Sequence, residues 1–359
     1  MSSGRILLIG PFPPVYSYGG PTKSIHGIYC TLRDSEFDCK VLSPIKNLDG
    51  SNIDIISSNQ DIIYSKNFYF DFFKIAKNVD VIWFNSFFEF KLIFLIFFSK
   101  ILKFKLIISP RGQLSDEAIK TSNSFIKKIF IAVIKILKSS LYFHSTSNSE
   151  TDAITYKINT SNITCLSNLF TLKFLENTQD KSKYIFYSRI HKKKGLYFLL
   201  KTIDDNNINI DLDVYGFIED KNYWKKCKIL IDKLDNINYM GSIDNGDLQI
   251  LKNKYSFFIF PTLNENFGHI IIELISLGII PIISKSTTPF DSLINEKIGL
   301  NFSLNSKSEL SDVLNKTKQI DIDTLNVLKN SVFEIFTTLN KDQEAIKNDY
   351  INFVKQLCK

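Results

Sequence analysis

Short apolar runs alternate with helical patterns, the alternation restarts after a polar stretch at 176–183, and the chain is 359 residues long. These observations predict an α/β protein of two Rossmann-like domains facing across a cleft. Hydrophobic residues make up 44% and charged residues 23%. That balance belongs to folded globular chains and excludes disordered, collagen-like and disulfide-scaffold classes.

The opening apolar stretch at 5–10 is too short for a signal peptide and reads as a first β-strand. Further strands are predicted at 37–43, 80–84, 105–109, 141–143 and 163–166, as short β-branched or aromatic runs suited to buried parallel strands. Helical patterns lie between them at 22–33, 86–103, 115–138 and 148–157. Residues 176–183, Glu-Asn-Thr-Gln-Asp-Lys-Ser-Lys, carry no periodicity and mark a domain boundary. The first domain is thus 1–178 and the second 179–340. Beyond the boundary, strands are predicted at 184–188, 210–215, 238–240, 256–260 and 279–284. Helices are predicted there at 195–203, 222–234, 245–253 and 267–277. No internal repeat breaks this reading. The uncharged apolar run Leu92 to Ser99 is far short of the ~20 residues that a spanning helix needs.

The charge is uneven. Residues 1–178 hold 20 Lys+Arg against 14 Asp+Glu; residues 179–359 hold 24 against 23. The excess in the first half points to an anionic partner or to solubilising lysines. The five cysteines, at 30, 39, 165, 227 and 358, show no paired or metal-ligand spacing and read as reduced cytosolic thiols. Four arginines stand among 44 basic residues: Arg5, Arg33, Arg111 and Arg189. Where lysine is the default cation, each arginine hints that a planar, two-pronged donor is wanted.

Three segments carry chemistry. Pro261–Gly278 follows a predicted strand and opens a helix. Gly268 lets backbone approach a ligand, and the helix start offers N–H groups and a positive dipole end for phosphate. Glu265 sits in the loop; Glu273, the only charged residue between Phe267 and Gly278, lies roughly 9 Å along the helix axis from that start. That span suits a diphosphate between a sugar at Glu265 and a ribose at Glu273. In Tyr184–Gly195, Arg189 closes a strand and Lys194 opens the next helix, so two cations could clamp a diphosphate and stabilise it as a leaving group without metal. Gly19 and Gly20 follow the first strand and fit backbone amides against a diphosphate or an acceptor; they do not form Gly-x-Gly-x-x-Gly, so a nicotinamide site is disfavoured. Asp211-x-Asp213 enters a strand instead of leaving one and reads as structural.

The order Gly-Gly loop, Ser-Pro-Arg-Gly, His-Ser-Thr-Ser, Ser-Arg-Ile-x4-Gly and Glu-x7-Glu resembles family 4 of the retaining glycosyltransferases, of GT-B architecture, over nearly the whole chain. Residues 109–114 and 286–300 are similar to a branch that builds bacterial surface polysaccharides, including lipopolysaccharide, O-antigen and capsule. The resemblance implies a nucleotide diphosphate-sugar donor, UDP- or GDP-linked, no metal or other cofactor, and a glycan acceptor, lipid-linked. It implies that Arg189 and Lys194 bind the diphosphate and that Glu265, with the amides near Phe267 and Gly268, holds the sugar. Glu273 would bind the ribose, and Asn266, Gly216, Gly19 and Gly20 would complete the donor site. It also implies that a C-terminal helix, 341–359, packs back on the first domain. Many relatives carry a sugar-contacting histidine after the strand that here ends in Ser109-Pro110. Here Arg111 stands nearby, either in that place or as an acceptor-phosphate ligand, and His144 follows a strand at the cleft edge, either as a second candidate contact or as a satisfied buried imidazole. His269 stands where relatives carry something smaller or neutral. Retention needs a nucleophilic carboxylate or front-face attack; the resemblance favours the latter, with Glu265 orienting.

Residues 125–140 place Lys127, Lys128, Lys135 and Lys138 within ~100° on an otherwise apolar helix. This is a basic amphipathic helix suited to a membrane surface, or a core helix with a lysine-edged outer face. With the phenylalanine-rich 87–104, it leads to the expectation of a cytoplasmic protein attached peripherally to the inner leaflet. The other function class considered is a catalytically silent sugar-nucleotide-binding or scaffold subunit of an assembly complex. No helix-turn-helix or aromatic–basic RNA motif supports a nucleic-acid partner.

Overall fold

The structure is a computed structural model that describes residues 4–13, 20–44, 60–120, 124–243 and 248–358, with the side chain of Glu117 excepted. The chain divides into two units, Met1–Thr171 with Asp342–Lys359, and Leu172–Lys341. The segment 176–183, expected as the boundary, lies inside the second unit. Its Asn177 is buried there and donates through Nδ2 to Tyr255 O at 2.8 Å.

Among the described residues of the first unit, seven parallel strands form one sheet. They are β1 (Arg5–Ile9), β2 (Asp38–Pro44), β3 (Ile62–Ser65), β4 (Val81–Phe84), β5 (Lys105–Ile108), β6 (Leu141–Ser145) and β7 (Ile163–Cys165), in the order β3-β2-β1-β4-β5-β6-β7. Alternate side chains go to opposite faces. Leu7, Ile9, Ile82, Phe84, Leu106 and Ile108 pack under the helices Phe90–Leu102, Ser124–Leu137 and Asn148–Ile158. Ile6, Leu8, Val81, Trp83 and Ile107 pack on the other side with Ile25, Ile28 and Tyr29 of the helix Gly20–Arg33. Tyr350, Phe353, Val354 and Leu357 join that second layer. They come from the end of a continuous helix, Ile322–Cys358, that begins well before the expected 341.

In the first unit one strand and one helix were not predicted. β3 pairs with β2, and the helix Phe68–Ile75 forms from a run of β-favouring aromatics. The helix is started by Asn67, whose side chain accepts from Phe70 N, and anchored by the fully buried Phe72 against Phe94 and Phe104. Tertiary packing overrides propensity there. The helix expected over 115–138 is described as Asp116–Lys120 and Ser124–Leu137, with 121–123 outside the described residues.

The second unit holds five parallel strands among its described residues. They are β8 (Lys183–Tyr187), β9 (Asp211–Tyr215), β10 (Ile237–Gly241), β11 (Phe257–Phe260) and β12 (Ile280–Ile283), in the order β10-β9-β8-β11-β12. β11 and the terminal β12 are buried throughout, as an apolar strand flanked by helices must be. The helices include Leu196–Asp205, Lys221–Lys233, His269–Ser276, Asp291–Lys297 and Lys307–Lys318. The helix expected at 245–253 reduces, within the described residues, to a 3₁₀ turn at Leu248–Leu251. The strand order reverses between β8 and β11, and the loops leaving those two strands carry the predicted chemistry. No helix among the described residues is long and apolar enough to cross a membrane.

Candidate active site

The loop after β11 is fixed by its backbone. Leu263 N donates to Lys193 O at 2.8 Å and Glu265 N to Thr287 O at 2.7 Å, and Thr262 Oγ1 lies 3.2 Å from Lys193 O. The loop is therefore tied both to the turn after β8 and to the 286–289 segment after β12. It ends at Gly268, whose φ of +85° is open to glycine and strained for other residues. Gly268 caps the helix His269–Ser276 without any capping side chain. The first turn of that helix thus begins with backbone N–H groups that no N-cap side chain serves, the arrangement that favours an anion.

Lys194 ends a 3₁₀ turn, Lys192–Lys194, whose preceding His191 accepts from Lys193 N through Nδ1 at 3.2 Å. Gly195 follows with φ +73°, and a Cβ there would stand 1.8 Å from Pro261 O. Only glycine lets the two loops close to this contact. The result is an ion pair between Lys194 Nζ and Glu265 Oε1, with side-chain exposures of 13% and 14%. Thr262 Oγ1 donates to the same Glu265 oxygen at 2.9 Å, and the ammonium lies 5.4 Å from the Phe260 ring centroid. Arg189 is placed differently. Its Nη1 lies 3.0 Å from Glu219 Oε1, and both side chains are open to solvent, at 44% and 38%. Gly216 brings the ends of β8 and β9 together: a Cβ would stand 1.7 Å from Ser188 O, and Gly216 O accepts from Tyr239 OH at 2.8 Å.

Glu273 is buried on the helix His269–Ser276. Phe267 is buried between His269 and Phe290, with ring centroids 4.8 and 5.1 Å away. Asn266 lies half-buried beside it. Asp213 gives its carboxylate to Tyr255 OH at 2.6 Å and to Lys183 Nζ at 3.4 Å, inside the sheet's edge. Two functional neighbours escaped sequence reasoning. Glu219 stands four residues past β9, next to the strand whose exit holds Arg189, and the Ile190–Ile218 bridge links the two exits; adjacency of parallel strand ends was the available signal. Thr287 gives only a carbonyl, which no residue-type signal announces.

In the first unit, Gly20 is the exposed first residue of the helix Gly20–Arg33, and Gly19 lies outside the described residues. Arg111, in the left-handed region at φ +54°, donates from Nε and Nη2 to Asn85 Oδ1 at 3.2 and 2.7 Å and from Nη1 to Asn168 Oδ1 at 2.8 Å. Glu150 holds the same turn, accepting from Gly112 N at 2.6 Å and from Thr146 N at 2.8 Å. His144 is fully buried. Trp83 Nε1 donates to Ser109 Oγ at 2.8 Å, and Ser109 Oγ lies 2.8 Å from His144 Nδ1. On its other side, His144 Nε2 lies 3.1 Å from both Leu166 O and Tyr350 OH. With both nitrogens engaged and no exposed face, His144 is an interior strut of the first unit. The expectation that it contacts a sugar does not fit this placement. Burial, then the Arg111 charge, holds its pKa well below the usual 6.5, against the smaller opposing effect of the Leu166 carbonyl.

Residues 171–330, covering nearly all of the second unit, match the family model described as Glycosyl transferases group 1. The chain carries a group 1 glycosyltransferase domain. The chain is 25% identical over 182 residues to the capsular polysaccharide biosynthesis glycosyltransferase CapM of Staphylococcus aureus. The match covers 41% of this chain and 45% of CapM, less than half the length of that relative. Among solved structures, HepE of Anabaena in complex with UDP-glucose superimposes with a TM-score of 0.77 at 15% identity, covering 98% of this chain and 99% of that one. Sucrose-phosphate synthase from Thermosynechococcus elongatus gives 0.70 at 14% identity, covering 99% of each chain. At such identities the likeness establishes the fold: the chain has the GT-B architecture of two Rossmann-like domains.

Proposed function

We propose that the protein is a retaining, metal-independent glycosyltransferase that moves a sugar from a nucleotide diphosphate-sugar to a lipid-linked glycan acceptor in bacterial surface polysaccharide synthesis. The observation that carries this reading is the Lys194–Glu265 pair, held beside the start of the helix His269–Ser276 within the matched domain. The pair sets an ammonium and a carboxylate where a phosphate and a sugar hydroxyl would meet the helix N-terminus. Lys194 and Arg189 take the diphosphate, and the helix start adds its N–H groups, so the charge that builds on the leaving group meets fixed cations and dipoles. Glu265 accepts from sugar hydroxyls, Phe267 and Gly268 shape the sugar's seat beside Asn266, and Glu273 binds the ribose. HepE's complex with UDP-glucose supports a donor of this class.

In the reaction, the bond between the anomeric carbon and the phosphate oxygen breaks as the acceptor oxygen bonds to the same face. The departing phosphate oxygen takes the acceptor's proton. Glu265, held by Thr262 and by its own backbone on Thr287, orients the donor and does not attack. The first unit takes the acceptor side, where Arg111 meets either a sugar or an acceptor phosphate, and its Gly19 and Gly20 serve the donor. Its basic surplus favours peripheral attachment at the cytoplasmic face of the membrane.

A thermal-shift panel of UDP, GDP and their sugar conjugates tests this. A ligand at 100 times its Kd stabilises the native state by about 2.7 kcal/mol, so a cognate nucleotide raises the Tm by several degrees, and its sugar conjugate is slowly hydrolysed. Binding without any turnover would make the protein a silent subunit of an assembly complex. No shift with any nucleotide would refute the reading.

A further inference from the structure

The first unit holds a cavity of about 580 Å³ on the flank of the helix Ser124–Leu137, and none of the residues assigned to the donor lines it. Four lysines line it: Lys120, Lys128, Lys135 and Lys157. One carboxylate lines it, Asp116, and Lys157 consumes that charge at 2.5 Å. The Lys157 side chain is only 14% exposed, so the pair forms part of the wall. Among the described side chains, Lys120, Lys128 and Lys135 have no carboxylate within ion-pair distance. Counted over the described side chains, the concavity therefore carries three uncompensated positive charges. Its floor is apolar, with Ile119 and Ile131, and its rim carries Tyr156 at 84% exposure.

The helix itself explains what such a cavity accepts. Ser124, Lys128, Ile131 and Lys135 repeat at i, i+4, i+7 and i+11 and form one stripe, which lines the cavity. Phe125, Ile129 and Ile136 repeat at the same spacing, roughly a third of a turn round the axis. They are 75%, 50% and 80% exposed. Ile134, facing the core, is fully buried. The helix thus has three faces: one packed, one cationic and concave, one apolar and bare. A free inorganic anion uses the second face only. An amphiphile with a phosphate head uses the second and third together, its phosphate among the lysines and its chains beside the apolar stripe.

We propose that this cavity is a seat for the phosphate head of an anionic membrane phospholipid, with Phe125, Ile129 and Ile136 entering the adjoining acyl region. The inference deepens the reading that the first unit works at a membrane surface, and rests on it. Lys120, Lys128 and Lys135 supply charge-assisted hydrogen bonds to the phosphate oxygens. Tyr156 stands at the rim, where an amphipathic ring fits the headgroup level.

Co-sedimentation of the full chain with phosphatidylcholine vesicles, with and without phosphatidylglycerol, tests the proposal. The wild type binds the anionic vesicles, and Lys128→Gln/Lys135→Gln binds them about 25-fold more weakly, at about fivefold per lysine. Lys225→Gln/Lys226→Gln on the second unit removes the same net charge and binds within about twofold of wild type. Phe125→Ser/Ile136→Ser lowers the binding that survives high salt. In thermal shift, a short-chain phosphatidylglycerol raises the Tm and inorganic phosphate does not. Equal losses from both lysine pairs would make the attraction diffuse and overturn the site. Wild-type binding by the cavity pair would also overturn it, and so would a phosphate shift as large as the lipid's. Nucleotide thermal shift on the same variants reads the donor site separately: it stays unchanged if only the lipid seat is wrong and is absent throughout if the transferase reading is wrong.

Discussion

Lys194 and Glu265 stand 71 residues apart in sequence and share an ion pair from which most water is excluded. The pair joins the turn after β8 to the loop after β11, and Thr262 donates to the same carboxylate oxygen. A donor diphosphate bound as proposed would meet an ammonium already held in place, so its binding would spend little on ordering that side chain.

Replacing Lys194 by alanine strands a mostly buried carboxylate that, among the described residues, keeps the hydrogen bond from Thr262. The expected loss is about 1–3 kcal/mol of stability, the cost of a charged group left without its partner. Donor turnover is expected to fall by about 10²-fold or more. Lys194→Met combined with Glu265→Gln removes both charges and should regain much of the stability while leaving turnover low. Urea melts and a nucleotide-release assay on the two single variants and the double variant check both parts. Additive stability losses would show that the pair is not coupled.

Arg189 and Glu219 form the contrasting case, since both side chains are well exposed. Exposed pairs contribute roughly 0–1 kcal/mol. Arg189→Ala and Glu219→Ala should each leave the melting transition nearly unmoved. Arg189→Ala should nonetheless cut donor turnover by about 10²–10³-fold, whereas Glu219→Ala should leave the guanidinium to bind phosphate and preserve most of the rate. Full turnover in Arg189→Ala would remove that residue from the site.

Two glycines separate crowding from backbone strain. Gly195→Ala must force its Cβ off Pro261 O while also holding a positive φ, and should cost on the order of 3 kcal/mol or more. Gly241 has φ +82° but nothing within 4 Å of a built Cβ, so Gly241→Ala should cost about 1–2 kcal/mol from conformation alone. Equilibrium denaturation of the second unit's transition compares them, and equal losses would contradict the close approach at Pro261.

Stability should depend on pH through His144. Its folded-state pKa lies well below 6.5, so the unfolded chain binds a proton that the native state refuses. Stability is therefore fully present above about pH 6.5 and is lost as pH falls below it, by up to about 1.4 kcal/mol per pH unit. His26 and His191, both lowered by burial, add in the same direction. A His144→Gln variant should show a flatter decline of Tm between about pH 6.5 and pH 5. An unchanged slope would mean that the imidazole is protonated inside the fold.

Much of the fold was legible because buried parallel strands are short unbroken apolar runs, as in Phe257–Phe260 and Ile280–Ile283, and because amphipathic helices separate them. Phe68–Ile75 was not legible, since its aromatic composition argues for a strand and only contacts with Phe94 and Phe104 make it a helix. The site residues were legible as residue types at strand exits. Their partners were not: Lys194 with Glu265 and Arg189 with Glu219 are meetings across strands, and no local spacing encodes them. Tyr350 meets His144 across 206 positions, which hydropathy patterns cannot register.

The setting of Trp83 has a spectroscopic consequence. The chain has two tryptophans. Trp83 is sealed from water, stacked on Tyr350 at 5.7 Å and hydrogen-bonded to Ser109, while Trp224 lies partly open against Tyr239. Each unit thus owns one intrinsic fluorophore, the first emitting to the blue of the second, and the melting of either can be followed by colour in a single unlabelled sample.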